Sequence, residues 1–277
     1  MKNLSKISPV LKYPGSKWSM TDWIISNFPE NYEKMTYVEP YFGSGAVFFR
    51  KNRSLIDTIN DMSDQVVNLF KVIRDRPEEL AAAIEMTPWS RTEYKLSYEH
   101  TGEPLEDARR FLVRMWQAIG AKTSDITGWR NNIKGNNGNV TQFVTRLPND
   151  IIESSKRLKH TKGHLVQIEN QDAIKLIKRS NQPNVLIYAD PPYMLETRSK
   201  RIYEHEYSDK DHEELLKALK EHSGPVVLSG YDCSLYNELL QGWYKKSLPV
   251  KTEGGRDAIE TIWCNYDPDI RQISLIS

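Results

Sequence analysis

Cysteine is nearly absent from this chain: the two present, Cys233 and Cys264, both lie in apolar, strand-like contexts. That excludes a disulfide framework and a cysteine-based metal site as expectations. No apolar run approaches the ~18 residues that a membrane-spanning helix needs. The first residues, Met1 to Trp18, carry neither the apolar stretch nor the small-residue cleavage site of a signal peptide. A cytoplasmic protein with no membrane role is the expectation. No internal repeat occurs. Nor does charge of either sign dominate, since 38 Lys and Arg against 37 Asp and Glu leave a net +1. His160 and His164 stand at i and i+4, but no third ligand is nearby, so no metal site is expected and both read as surface residues.

What is present fits a globular α/β protein. The 277 residues, 39% hydrophobic and 27% charged, allow one domain with a sizeable core and a smaller insertion. Charge is unevenly placed. Arg76 to Asp107 holds eight acidic residues against three basic ones, whereas Ala108 to His164 holds eleven Lys and Arg against three acids. A polyanion-binding face produces such a reversal, and so does an ordinary solvated surface.

Along the chain, apolar runs alternate with turn signals. The run Tyr37 to Pro40 enters a glycine-rich loop, Phe42-Gly43-Ser44-Gly45, and Ala46 to Arg50 opens a helix. A second strand at Ser54 to Ile59 and a helix from Asp64 to Ile73 follow. Further strands are read at His164–Ile168, Asn184–Ala189, Pro225–Leu228 and Ala258–Asn265, with a helix over Asp209–Glu221. This alternation predicts an α/β fold with a doubly wound, mostly parallel sheet. Residues 76–153 break the pattern. They show helical periodicity in Pro77–Glu85 and Leu105–Ala118, then a polar tract, Lys134 to Asn139, rich in glycine and asparagine. The expected division is a catalytic domain of 1–75 and 154–277 and an α-rich insertion of 76–153.

The sharpest signal is Asp190-Pro191-Pro192-Tyr193. At average usage such a tetrapeptide arises by chance in about one chain of this length in a thousand. An exocyclic aryl amine is a poor nucleophile because its lone pair is delocalised into the ring. A carboxylate and a backbone carbonyl that accept both amine hydrogens redirect that lone pair toward a methyl donor. Asp190 supplies the carboxylate, and the two prolines force an extended turn that lets the Pro191 carbonyl point at the same amine. Tyr193 can stack on an extruded base. The plain alternative is a rigid strand-to-loop turn with a capping Asp. The loop from Glu39 to Gly45 lets backbone approach a ligand at a strand's carboxyl edge, and differs from both the dinucleotide and the Walker A fingerprints. Asp61, after the next strand, is placed to take two ribose hydroxyls, or to serve as an acid at a helix start.

Taken in order, Lys12 to Lys17, Glu39 to Phe49, Asn60-Asp61, Asp190 to Tyr193 and Ser229 to Asp232 resemble the motifs of the Dam-type DNA adenine-N6 methyltransferases, the D12 class with α-group order. Arg198 and the segment around His212 are similar to phage- and prophage-borne members. The resemblance implies a seven-stranded S-adenosylmethionine methyltransferase sheet and double-stranded DNA as substrate. It places Tyr13 and Lys17 in an N-terminal cofactor loop, Lys17 near the cofactor carboxylate. It sets Glu39, Phe42, Gly43, Ser44 and Gly45 around the methionine part, Asp61 at the ribose and Asp172 beside the adenine. Asp190, Pro191, Pro192 and Tyr193 form the catalytic turn. This chain carries Tyr13-Pro14-Gly15-Ser16 where many relatives have Trp-Ala-Gly-Gly. The insertion becomes the target-recognition region, with Lys122, Trp129, Arg130 and Lys134 as expected DNA contacts, against the alternative of a hairpin packed by Trp129. Arg109, Arg110 and Arg114 share no clean helix face, and Lys156, Arg157, Lys159 and Lys162 are phosphate candidates or salt-bridged surface. A cognate restriction endonuclease without a stable complex, and a monomer on DNA, complete the expected picture. N4-methylation of cytosine, RNA methylation and a catalytically dead DNA-binding regulator are the competing readings.

Overall fold

The apolar runs around Val38, Ile59, Val166, Ile187 and Val227 form the parallel part of one sheet in the computed structural model, which describes residues 7–120, 122–131, 138–194, 202–251 and 257–270. Strands β1 (Thr36–Glu39), β2 (Ile56–Asn60), β3 (Leu165–Glu169), β4 (Val185–Ala189) and β5 (Val226–Tyr231) pair in parallel. Strands β6 (Tyr244–Lys251) and β7 (Asp257–Cys264) close one side antiparallel, giving seven strands in the order β3-β2-β1-β4-β5-β7-β6.

β4 is buried along its whole length because both of its faces are covered. Leu186 and Tyr188 enter one core with Tyr37, Val227 and Ile262, while Ile187 and Ala189 enter another with Val38, Val226 and Trp263. The period-2 alternation of strand side chains divides them, and burial on both faces is why these strands read as continuous apolar runs.

Helices α1 (Thr21–Ser26), α2 (Ala46–Arg50) and α3 (Asp64–Asp75) belong to the first core. The segment 76–153 contributes α4 (Pro77–Glu85), α5 (Arg91–Leu96), α6 (Pro104–Gln117) and α7 (Gly138–Thr145), and α8 (Leu147–Leu158) carries the chain back to the sheet. Leu80, Phe111, Phe143 and Ile151 from these helices join Leu69 and Phe70 of α3 in that same core. Helices α9 (Ala173–Arg179), α10 (Asp209–Lys220) and α11 (Ser234–Leu239) supply the second core. Periodicity predicts α4 and α6 to within a residue or two. It misses α8, whose sequence is broken by Pro148 and several polar residues, and β6, whose lysines and Pro249 are edge-strand features.

β1 has β2 on one side and β4 on the other, and the chain moves outward in opposite directions from these two central strands. At such a switch point the loops after the carboxyl ends part and leave a crevice. No helix among the described residues is long and apolar enough to cross a membrane.

Candidate active site

That crevice is a cavity of about 650 Å³. Four of the carboxylates that line it stand at strand ends: Glu39 ends β1, Asp61 follows β2, Asp172 follows β3 and Asp190 follows β4. Each is delivered by the carboxyl end of a parallel strand, so the sheet sets their spacing. Gly43 holds φ at +49°, and a Cβ there would stand 3.0 Å from the Tyr13 ring, so the loop lies against Tyr13 only because that position is glycine. The Gly43 N–H donates to Asp61 Oδ2 at 2.8 Å and the Ser63 N–H to Oδ1 at 2.9 Å. These bonds oppose the rise that burial imposes on the Asp61 carboxyl. Glu39 is 2% exposed, accepts the Tyr37 hydroxyl at 2.6 Å, and is pushed by burial up to about 8. Asp172 caps α9 through the Lys175 N–H at 2.8 Å and lines the cavity as well.

Asp190 sits in a dense polar cluster. Lys17 Nζ lies 2.9 Å from each of its carboxylate oxygens, and the Ser229 hydroxyl donates to Oδ1 at 2.9 Å. Burial alone would lower the Lys17 ammonium, but Asp190 and Glu260 outweigh it and hold its pKa above the ordinary range. Tyr193 is buried, its hydroxyl donates to Glu260 Oε1 at 2.7 Å, and the Lys17 ammonium stands 4.6 Å from its ring centroid. A second ring, Tyr231, lies 4.4 Å from it, centroid to centroid.

Tyr13, Lys17, Glu39, Phe42, Gly43, Ser44, Asp61, Asp172, Asp190 and Pro192 therefore converge on one cavity. Gly45 stands behind it: with φ at +68° it starts α2, and a Cβ there would strike the Phe42 and Phe49 rings. Pro191 and Tyr193 also lie outside the lining, and Lys17, which lines the cavity, meets Asp190 there.

The loop that holds Lys122, Trp129 and Arg130 is tied to itself. Trp129 bridges Ala118 antiparallel, its indole N–H donates to Gln117 Oε1 at 2.9 Å, and Arg91 lies over its ring. Arg130 turns its guanidinium back onto the Ala118 carbonyl at 3.1 Å. Lys122 is half-buried on the same loop, while Lys134 and Arg198 lie outside the described residues. Arg109 and Arg110 both pair with Glu106, and Arg114 bonds Gln65. Arg157 is a correction: it is no phosphate contact, because it is 2% exposed and pairs with Asp57 at 2.9 Å. His160 accepts the Val166 N–H and His164 bonds the Ser54 carbonyl, and no group of potential metal ligands occurs among the described residues.

Sequence reasoning missed Tyr41, Tyr203, His205 and Tyr207 in the cavity wall, and Glu260 behind it. Residues 202–207 read as a charged linker and give no signal. Glu260 gives one: it is the single acid within the apolar stretch Ile259 to Cys264.

The family model described as D12 class N6 adenine-specific DNA methyltransferase matches residues 13–253. A type II methyltransferase of Lactococcus lactis subsp. cremoris, M1.LlaDCHI, is 27% identical over 96% of this chain and 98% of its own length. A DNA adenine methylase of Haemophilus influenzae is 34% identical over 74 residues, 27% of this chain and 25% of that protein. A solved structure assigned as an RNA methyltransferase of Pyrococcus horikoshii covers 92% of this chain and 85% of its own at 9% identity and a TM-score of 0.37, too loose a likeness to use.

Proposed function

The chain belongs to the D12 class N6 adenine-specific DNA methyltransferases, and we propose that it methylates adenine within one short double-stranded motif through the cavity between β1 and β4. The observation that carries this reading is the ring of four carboxylates at the ends of four adjacent parallel strands, in the motif order of the family.

Family and fold imply S-adenosylmethionine as methyl donor. The residues present fit it. Gly43 leaves space that a Cβ would fill, Tyr41 and Phe42 give apolar wall, and Glu39, Asp61 and Asp172 offer acceptors to a cationic nucleoside. In this assignment Glu39 faces the charged methionine end within the loop of Tyr13, Phe42, Gly43, Ser44 and Gly45. Asp61 takes the ribose hydroxyls, and Asp172 lies beside the adenine. The bound cofactor supplies an electrophilic methyl on a sulfonium.

The chain's own groups do the rest by positioning and charge orientation. The target adenine leaves the duplex at a cost of about a few kcal/mol for unstacking. Asp190 Oδ2 and the Pro191 carbonyl accept its two N6 hydrogens and turn the lone pair toward the methyl. The prolines fix the turn, and Tyr193, anchored through its hydroxyl on Glu260, stacks on the base. We assign 76–153 to target recognition, within a doubly wound architecture that carries helices on both sheet faces. The loop holding Lys122, Trp129 and Arg130 reaches the cavity wall, since Thr123 N–H donates to the Ile202 carbonyl at 3.0 Å and Glu204 N–H to Thr123 Oγ1 at 3.0 Å. The enzyme acts as a cytoplasmic monomer on DNA, and any restriction endonuclease of the same system meets it only through the shared motif.

Single-molecule sequencing of unmethylated DNA incubated with protein and S-adenosylmethionine tests this directly. N6-methyladenine at one short motif is expected. Marks scattered without a motif, or none while cofactor is bound, would refute it.

A further inference from the structure

Behind the site stands an acid that no motif announces. Glu260 lies on β7, beyond the matched residues 13–253, and is 3% exposed. Its Oε1 accepts the Tyr193 hydroxyl at 2.7 Å and lies 3.6 Å from Lys17 Nζ. Lys17, 4% exposed, spans both oxygens of Asp190 at 2.9 Å and donates to the Gly15 carbonyl at 2.8 Å. One ammonium thus stands between two carboxylates, nearly closed off from solvent.

This arrangement creates a conflict for the amine acceptor. Asp190 Oδ1 already takes the Ser229 hydroxyl, and Oδ2 takes Lys17. An ammonium on Oδ2 draws the same electron density that an adenine amine hydrogen needs. Drawing the ammonium off Asp190 with no other carboxylate to receive it would leave a buried cation without a counter-ion, which is strongly unfavourable. Passing it to a second carboxylate is not. Glu260 is already in place, and a sub-ångström movement of Nζ turns a 3.6 Å ion pair into a hydrogen bond.

We propose that Glu260 is a positioning residue for Asp190 that acts through Lys17, taking the ammonium when the adenine amine arrives so that Asp190 Oδ2 is free to accept an N6 hydrogen. The inference rests on the reading of Asp190 as amine acceptor. In the absence of DNA, Lys17 keeps Asp190 paired and oriented. With the base in place, Glu260 holds the ammonium beside the Tyr193 hydroxyl and Asp190 holds the amine beside the Ser229 hydroxyl, so the ammonium has a carboxylate partner in both arrangements.

Initial rates of methyl incorporation from tritium-labelled S-adenosylmethionine into unmethylated plasmid DNA test it. Glu260→Gln keeps an acceptor for the Tyr193 hydroxyl but loses the charge, so kcat falls about thirtyfold while KM for cofactor and for DNA stays within about threefold. Glu260→Asp keeps the charge at shorter reach and recovers only in part, to about fivefold below wild type. On a Lys17→Gln background, Glu260→Gln costs less than about twofold further, because the acid acts through the lysine. The proposal is overturned if Glu260→Gln leaves kcat within about twofold, if its loss repeats in full on Lys17→Gln, or if Glu260→Asp is worse than Glu260→Gln. Should Glu260→Gln fail to fold, Glu260→Asp alone decides: about a fivefold loss in kcat with KM held is expected, and an unchanged kcat refutes. Asp190→Asn separates the two ideas. Turnover retained there defeats the reading of Asp190 itself, whereas loss there with none in Glu260→Gln defeats only the role of Glu260.

Discussion

Lys17 and Lys51 are both about as dry as a lysine becomes, 4% and 2% exposed, yet their ammonium groups are driven in opposite directions. Burial lowers both. Around Lys17 two carboxylates overcome it, and the pKa ends above the ordinary range. Lys51 has Asp57 at 2.5 Å, but shares it with Arg157, which reaches the other oxygen at 2.9 Å, and burial prevails to bring it down to about 8. The second cluster is closed: Asp57 lies on β2, Arg157 on α8 and Lys51 just after α2, and Arg157 packs 3.9 Å from the Phe48 ring centroid. It fastens the returning helix to the sheet. The first cluster has a surplus carboxylate and borders a cavity. The cluster built into the fold spends its acceptor inside, whereas the Lys17 cluster keeps one at an open edge, where the proposed chemistry needs it.

The hardest test of that contrast removes the open acceptor. Asp190→Ala lowers turnover by about a thousandfold, the scale of losing one preorganised charge-stabilising group. Lys17 retains Glu260, so the melting temperature moves by no more than about 3 °C and cofactor binding survives. Radiolabel incorporation and thermal melting read both sides. Near-normal turnover, or collapse of the fold, would erase the distinction between the clusters. The next largest effect falls on the other side. Asp57→Asn leaves two buried cations facing a neutral amide and costs about 3–5 kcal/mol of stability, a fall of about 10 °C in melting temperature. Activity per folded molecule at low temperature is unchanged. An Asp57→Asn protein that melts normally but has lost turnover would show that this cluster, too, belongs to the chemistry.

The same contrast explains what could be read from the sequence. At the strand ends chemistry fixes residue type and backbone together, so Glu39, Asp61 and Asp190 stand out beside the glycines and prolines that shape their loops. Glu260 is only half visible. A lone acid in an apolar strand signals something, but its partner Lys17 lies near the other end of the chain, and only the sheet brings them together. Arg157 misleads for the opposite reason: amid Lys156, Lys159 and His160 it reads as a basic patch, and one turn of α8 carries it inward to Asp57. The loop proposed for target recognition is the least legible. Trp129 turns its indole N–H to Gln117 and Arg130 one guanidinium donor to Ala118, contacts that shape a hairpin without announcing a base. β6 escapes notice because an edge strand carries lysines and proline in place of an apolar alternation.

Glu39 gives the finest test, because it lines the open cavity yet is nearly as dry as the closed cluster. Burial raises its carboxyl to about 8, with the Tyr37 hydroxyl and Lys51 pulling it down and Asp190 and Asp57 pushing it up. At neutral pH much of it carries a proton. If the anion is the form that receives the cofactor's charged end, binding must release that proton, and affinity weakens as pH falls below about 8, approaching tenfold per unit. Above that value the pH dependence that Glu39 imposes disappears and its full contribution is present. The cofactor's own amino group titrates near the same pH, at about 8, but it does so identically against wild type and Glu39→Gln. Dissociation constants for S-adenosylmethionine measured from pH 6 to 9 on both proteins therefore isolate the residue by their ratio. The ratio shrinks toward acid, where wild type loses its advantage, and levels off in alkali. A ratio independent of pH would mean that Glu39 stays neutral in the complex and belongs, with Asp57, to the machinery of the fold.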